Sequence, residues 1–148
     1  MLERSPETIA TVALEVFERM AFLFGERAPV AEVVPPAQAL SGTIAFRGAD
    51  AGTFEVLASS DLGHVLAENV LGCEHGQCGL DSDVDALGEL MNVTLGHLLT
   101  TLASPAAVFD VAAPRIERDV PRERWQTLAA EPGTLAFLVE GQPLLLRL

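Results

Sequence analysis

Apolar positions recur along the chain with two periods, and the changes of period mark the predicted elements. Ile9, Val12, Ala13, Val16, Phe17, Met20 and Phe24 follow the 3.6-residue period of a helix, which predicts a first helix over residues 6–24. Ser5 suits its N-cap, Pro6 its first position and Glu7 its first turn, and Gly25 would end it. Residues 28–34 read as a short edge strand broken by Pro35 and Pro36. Two β-branched or aromatic runs, 40–46 and 52–57, are joined by 47–51, where Gly48 and Asp50 suit a hairpin turn. Ser59 or Ser60 then caps a short second helix with Leu62, Val65, Leu66, Val70 and Leu71 on one side, closed by Gly72.

A glycine-rich stretch, 72–79, leads into the longest periodic segment, from Asp81 or Ser82 to Leu102. At about 100° per residue, Asp85, Glu89, Asn92 and Gly96 fall on one side of this helix. Leu87, Leu90, Met91, Thr94, Leu98 and Leu102 fall on the other, which is core. The polar side carries a carboxylate and a carboxamide at i and i+3, close enough to touch one partner group, while Gly88 and Gly96 lower the local bulk. Asn and Gly weaken a helix, so this face gives up stability for something else. Asp81, Asp83 and Asp85 sit where the helix dipole favours acids. Further strands are predicted over 106–112, 134–139 and 143–148, the last two forming a hairpin through Glu140, Gly141 and Gln142. Between them, 114–132 reads as charged and irregular, with one helical turn near 123–128. The order helix, strands, helix, helix, strands predicts one α+β domain over 1–148, with two long helices packed on one face of a largely antiparallel β-sheet and a shorter third helix.

Charge narrows the partners. The formal net charge is -12, and all 9 basic residues are Arg. Nucleic acid is excluded as a partner on this balance, and the missing lysine rules out a P-loop or a Schiff base. A partner presenting Lys or Arg fits instead. No apolar run reaches the length of a membrane span, and the first residues lack a signal peptide's basic and apolar regions, so a cytoplasmic protein with no membrane partner is expected.

Taken together, these segments resemble the CheC/CheX family of chemotaxis phosphatases, in particular its CheX-like branch. The segment 13–20 is similar to the family's opening helix, 41–48 with 52–56 to its first hairpin, and 66–72 to the end of its second helix. The most specific match is an acid, then Glu four residues on, Asn three further, and a later Pro: Asp85, Glu89, Asn92 and Pro114. The resemblance implies a CheC/CheX-like fold and a phosphatase acting on the phospho-aspartate of a receiver domain (CheY-like) in chemotaxis or related two-component signalling. In that reading Asn92 orients the attacking water and Glu89 pairs with the receiver's lysine. Asp85, Gly88, Gly96 and Pro114 contact the partner. No cofactor of its own is implied, because Mg²⁺ would belong to the receiver. Glu15 and Glu18 echo the pair on the first helix but lack the carboxamide, which predicts a single active face. The resemblance also implies a homodimer through sheet edges, with the apolar strand 144–148 as a suitable edge. The alternative is a catalytically inactive module of the same fold that binds a receiver or a flagellar-switch protein.

Other candidates are weaker. Cys73, His75 and Cys78 lack the second ligand pair usual for zinc, so no metal site is expected; they read as two reduced thiols that form a disulfide on oxidation, or as a metal or redox sensor. His64 is expected on the exposed or boundary face of its helix. His97, a turn beyond Asn92, reads as solvated or as a minor docking residue, and Trp125 as packing. No Ser-His-Asp arrangement with a nucleophile elbow is present.

Overall fold

The computed structural model describes residues 2–74 and 76–148, which form four α-helices and seven strands. Helix α1 (Pro6–Ala21) opens as its sequence dictates, with Ser5 Oγ accepting from the Thr8 N–H at 3.4 Å. It closes earlier than the apolar period implies. Phe22 takes the left-handed conformation at φ 53°, and its N–H reaches the Glu18 carbonyl, so the helix stops before Phe24 and Gly25. Phe22 and Phe24 both stand exposed. Gly25 instead begins strand β1 (Gly25–Ala28), and much of the stretch expected to be a strand holds a 3-10 turn, Val30–Glu32.

Strands β2 (Ala39–Gly48) and β3 (Gly52–Ser59) pair as the expected hairpin, Phe46 facing Gly52. Helix α2 (Ser60–Leu71) is capped by Ser59 Oγ, which accepts from the Leu62 N–H at 3.1 Å, and ends at Gly72 with φ 70°. Helix α3 (Ser82–Leu102) follows, then β4 (Phe109–Val111) and β5 (Arg115–Glu117). The segment expected to be irregular thus contributes β5, and its expected helical turn near 123–128 is a 9-residue helix, α4 (Arg122–Ala130). Strands β6 (Leu135–Val139) and β7 (Gln142–Arg147) complete the chain's elements.

All strand pairings are antiparallel, in the order β1-β6-β7-β3-β2-β4, with β5 also on β2. Strand β7 therefore lies in the middle of the sheet, hydrogen-bonded on both sides, and the expected sheet edge at 144–148 is not an edge. Its apolar run explains the placement: Leu144 and Leu146 enter one core, Leu145 the other.

The larger core joins α1, α2 and α3 to one face of the sheet through Phe17, Leu66, Leu87, Met91, Phe54 and Phe137. Phe17 meets Phe137 edge to face at 6.3 Å. The smaller core lies under α4 on the opposite face, where Trp125 and Leu128 cover Leu57, Ala136 and Leu145. Trp125 is thus a packing residue, as its lone occurrence implied, although the helix that carries it is a fourth. Among the described residues, no helix is long and apolar enough to cross a membrane.

Candidate functional site

Helix α3 lies against β2 and between α1 and α2, so most of its circumference is committed to packing. Leu87, Leu90, Met91, Thr94, Leu95 and Leu98 are all buried, and each large apolar one contributes about 1.5–3 kcal/mol of burial. Thr94 satisfies its hydroxyl by donating to the Leu90 carbonyl at 2.7 Å. The turns of α3 that carry polar side chains are therefore held by a close-packed seat.

That seat depends on Gly42 of β2. A Cβ there would collide with Met91 Sδ and come within 3.0 Å of Ile116 Cδ1, so the missing side chain lets Met91 descend onto the strand. Met91 precedes Asn92, and its depth sets the depth of the next residue's turn.

Asp85, Glu89, Asn92 and Gly96 are all exposed, in one stripe along α3. Among the described residues, neither Glu89 nor Asn92 is held by a hydrogen bond or ion pair, so both side chains are available to another molecule. Gly96 has open space where a side chain would stand, which keeps that end of the stripe low. Gly88 is placed differently. It is buried, and a Cβ on it would lie 3.7 Å from Pro114 Cβ, so Gly88 and half-buried Pro114 form the seat beside the stripe. Pro114 immediately precedes β5, and the pairing of β5 with β2 brings it to α3.

The N-terminal end of α3 is fixed by Arg118, a residue from the stretch that sequence left irregular. Its guanidinium donates to Asp83 Oδ1 at 2.7 Å and Oδ2 at 3.2 Å, to Asp81 Oδ1 at 3.1 Å and to the Leu80 carbonyl at 2.7 Å. The hydrogen bonds from Arg118 hold the Asp83 carboxyl below the usual carboxylate range, assisted by the Val84 N–H and opposed by partial burial. The same acids push the Arg118 guanidinium further up. A legible signal existed in the three alternating acids 81, 83 and 85, which call for a cation.

On the flank of the stripe, a groove of about 300 Å³ runs between α1 and α3, with Val12, Val16, Met20 and Val93 lining it and Glu15 and His97 beside them. Glu15 and Glu18 are exposed on α1, and His64 and His97 are exposed on their helices.

Cys73 and Cys78 are joined as a disulfide, with Cα atoms 5.4 Å apart, the oxidised form of the pair that the sequence left open. His75 lies outside the described residues. Among the described residues, no group of three or more His, Cys, Asp or Glu could hold a metal ion.

No protein-family model matches the sequence, and no curated protein matches it. Solved structures do match. The chemotaxis protein CheX from Vibrio vulnificus aligns with a TM-score of 0.70 at 20% identity, covering 99% of this chain and 97% of that one. The CheX from Desulfovibrio desulfuricans aligns at 0.68 and 15%, covering 95% and 94%. CheX from Borrelia burgdorferi, in a complex with CheY, BeF3 and Mg²⁺, aligns at 0.62 and 15%, covering 95% and 93%. Over nearly its whole length, then, this chain has the α+β fold of the CheX and CheC-like chemotaxis proteins.

Proposed function

We propose that this protein is a phosphatase of phosphorylated receiver domains, and that it acts by inserting the α3 stripe into the receiver's active site. The observation that carries the reading is the Glu89 and Asn92 pair, exposed and unengaged among the described residues on a helix whose opposite face is fully packed. A rigid support matters because an acyl phosphate already holds a reactive bond, and what hydrolysis requires is a positioned water.

The residue types fit that task. The Asn92 carboxamide oxygen accepts from the water, while its NH₂ donates to a phosphoryl oxygen, which fixes the line of attack. Asn has no useful acid or base, so the rate gain is one of positioning. Glu89, a turn away, pairs with an ammonium group of the receiver. This protein has no lysine, so that ammonium comes from the partner. Mg²⁺ is likewise the receiver's. Asp85 lines the approach, Gly96 keeps the far end of the stripe low enough to enter, and Gly88 and Pro114 hold the helix at its height. Further support comes from the Borrelia burgdorferi CheX, which has this fold and forms a complex with CheY, BeF3 and Mg²⁺.

The test is loss of phosphate from a phosphorylated CheY-like receiver with Mg²⁺. Wild type is expected to accelerate it, and Asn92→Ala to slow the accelerated rate by about a hundredfold with docking retained. Glu89→Arg is expected to abolish docking through like-charge contact with the receiver's lysine. Equal rates with wild type, Asn92→Ala and no protein, in the presence of docking, would leave a binding module in place of an enzyme.

A further inference from the structure

The ten-residue connection between α2 and α3 runs from the left-handed cap Gly72 to Asp81, and none of its described residues is in a helix or strand. Asp81, the N-cap of α3, makes no side-chain cap to the helix, because its carboxylate is turned to Arg118. The first turn of α3 is therefore tied from outside by two devices. One is the Arg118 fork on Leu80, Asp81 and Asp83. The other is the Cys73–Cys78 bond, which ties the approach to α3 back to the end of α2.

The two sulfurs stand in different surroundings. Both cysteines pack against the larger core and are half-buried. Cys78 also lines an open groove of about 470 Å³, shared with Leu40, His64, Asp83 and Arg118, while Cys73 does not. Its neighbours Gln77 and Gly79 are exposed. A thiol reagent can thus approach the Cys78 sulfur without opening the core, a condition for exchange in the folded state.

We propose that the Cys73–Cys78 pair is a reversible, redox-controlled tether that sets the order of the α2–α3 connection and of the first turn of α3. Reduction needs a dithiol. One of its thiolates attacks Cys78 Sγ, the Cys73–Cys78 bond breaks, and Cys73 leaves as a thiolate that takes up a proton. The second thiol of the reductant then attacks the mixed disulfide, releasing Cys78, so the reductant is oxidised to a disulfide while this pair becomes two thiols. With the bond open, residues 72–81 hold to the body through the Arg118 fork, and the turn containing Asp85 loosens. The packed turns from Glu89 onward keep their seat on β2. This inference does not rest on the phosphatase reading.

The test compares the oxidised protein, the same protein treated with millimolar dithiothreitol, and the Cys73→Ser, Cys78→Ser variant, by amide hydrogen exchange and thiol titration. Reduction and the double variant are expected to speed exchange in 72–85 by about tenfold, to leave 89–102 unchanged, and, for the reduced protein, to reverse on reoxidation. Arg118→Ala is expected to enlarge the difference between oxidised and reduced protein, since it removes the second tie. Equal exchange over 72–85 in both redox states would overturn the proposal. So would a bond that dithiothreitol opens only after global unfolding, or acceleration spread over all of α3.

Discussion

The contact between Gly42 and Met91 offers a test in which the structure fixes the sign of a coupling. Gly42→Ala adds one methyl group to a buried strand position where Met91 Sδ already stands and Ile116 Cδ1 leaves 3.0 Å. Overpacking of this kind costs about 1–3 kcal/mol, offset by about 0.4–1 kcal/mol from the reduced freedom of the unfolded chain, so the single variant should lose about 1–2 kcal/mol. Met91→Ala empties the same space and should cost about 2–5 kcal/mol, since Met91 is 1% exposed. In that background the new methyl has room, fills part of the void, and Gly42→Ala should become stabilising by about 0.5–1 kcal/mol. The double-mutant cycle in urea thus predicts a favourable coupling of about 2 kcal/mol, or several degrees in Tm. The proposed receiver phosphatase activity should follow the same pattern, falling in Gly42→Ala because Met91 lifts the turn that carries Asn92. Additivity within about 0.5 kcal/mol would refute the claim that these two residues share one space and set the height of the stripe.

Gly48→Ala should cost about 2–3 kcal/mol by urea unfolding, because φ is 136° there and a Cβ would collide with the Val108 carbonyl that precedes β4. Asp83 binds a proton less readily folded than unfolded, so its contribution is complete above the ordinary carboxylate range and is lost as pH falls through its lowered folded value. Wild type should therefore lose stability in acid more steeply than Arg118→Met, as read from urea midpoints at about pH 3 and about pH 6. Trp125→Ala should cost about 3 kcal/mol, because it removes the largest side chain of the core beneath α4, and near-ultraviolet circular dichroism with thermal melting checks it.

Elements with local causes were legible in the sequence. The caps Ser5, Ser59 and Gly72 and the long period of α3 mark helix boundaries through interactions a few residues apart, and 85, 89, 92 and 96 share a face for the same reason. What failed depended on distant partners. Strand β1 is Gly-Glu-Arg-Ala, with no apolar alternation, and exists because β6 pairs with it. Strand β5 is short and charged and is held by β2, and α4, legible only as one turn near 123–128, owes its full length to the core under Trp125. Phe22 and Phe24 continue an apolar pattern into solvent, so periodicity overran the end of α1. Gly88 was legible as small but not as buried, because Pro114 covers it from 26 positions away in sequence.

The central place of β7 has a consequence for biosynthesis. The sheet divides into a β1-β6 flank and a β3-β2 flank, and β7 is the strand that joins them. During synthesis from the N-terminus, residues 39–59 can form their hairpin early, yet both flanks keep an open edge until residues 142–147 have emerged. Until then Leu57 and Phe137 have no strand between them, and apolar edges are exposed to other chains. Folding of the sheet is therefore gated by β7, and a nascent chain halted before residue 142 is the form that calls for a chaperone.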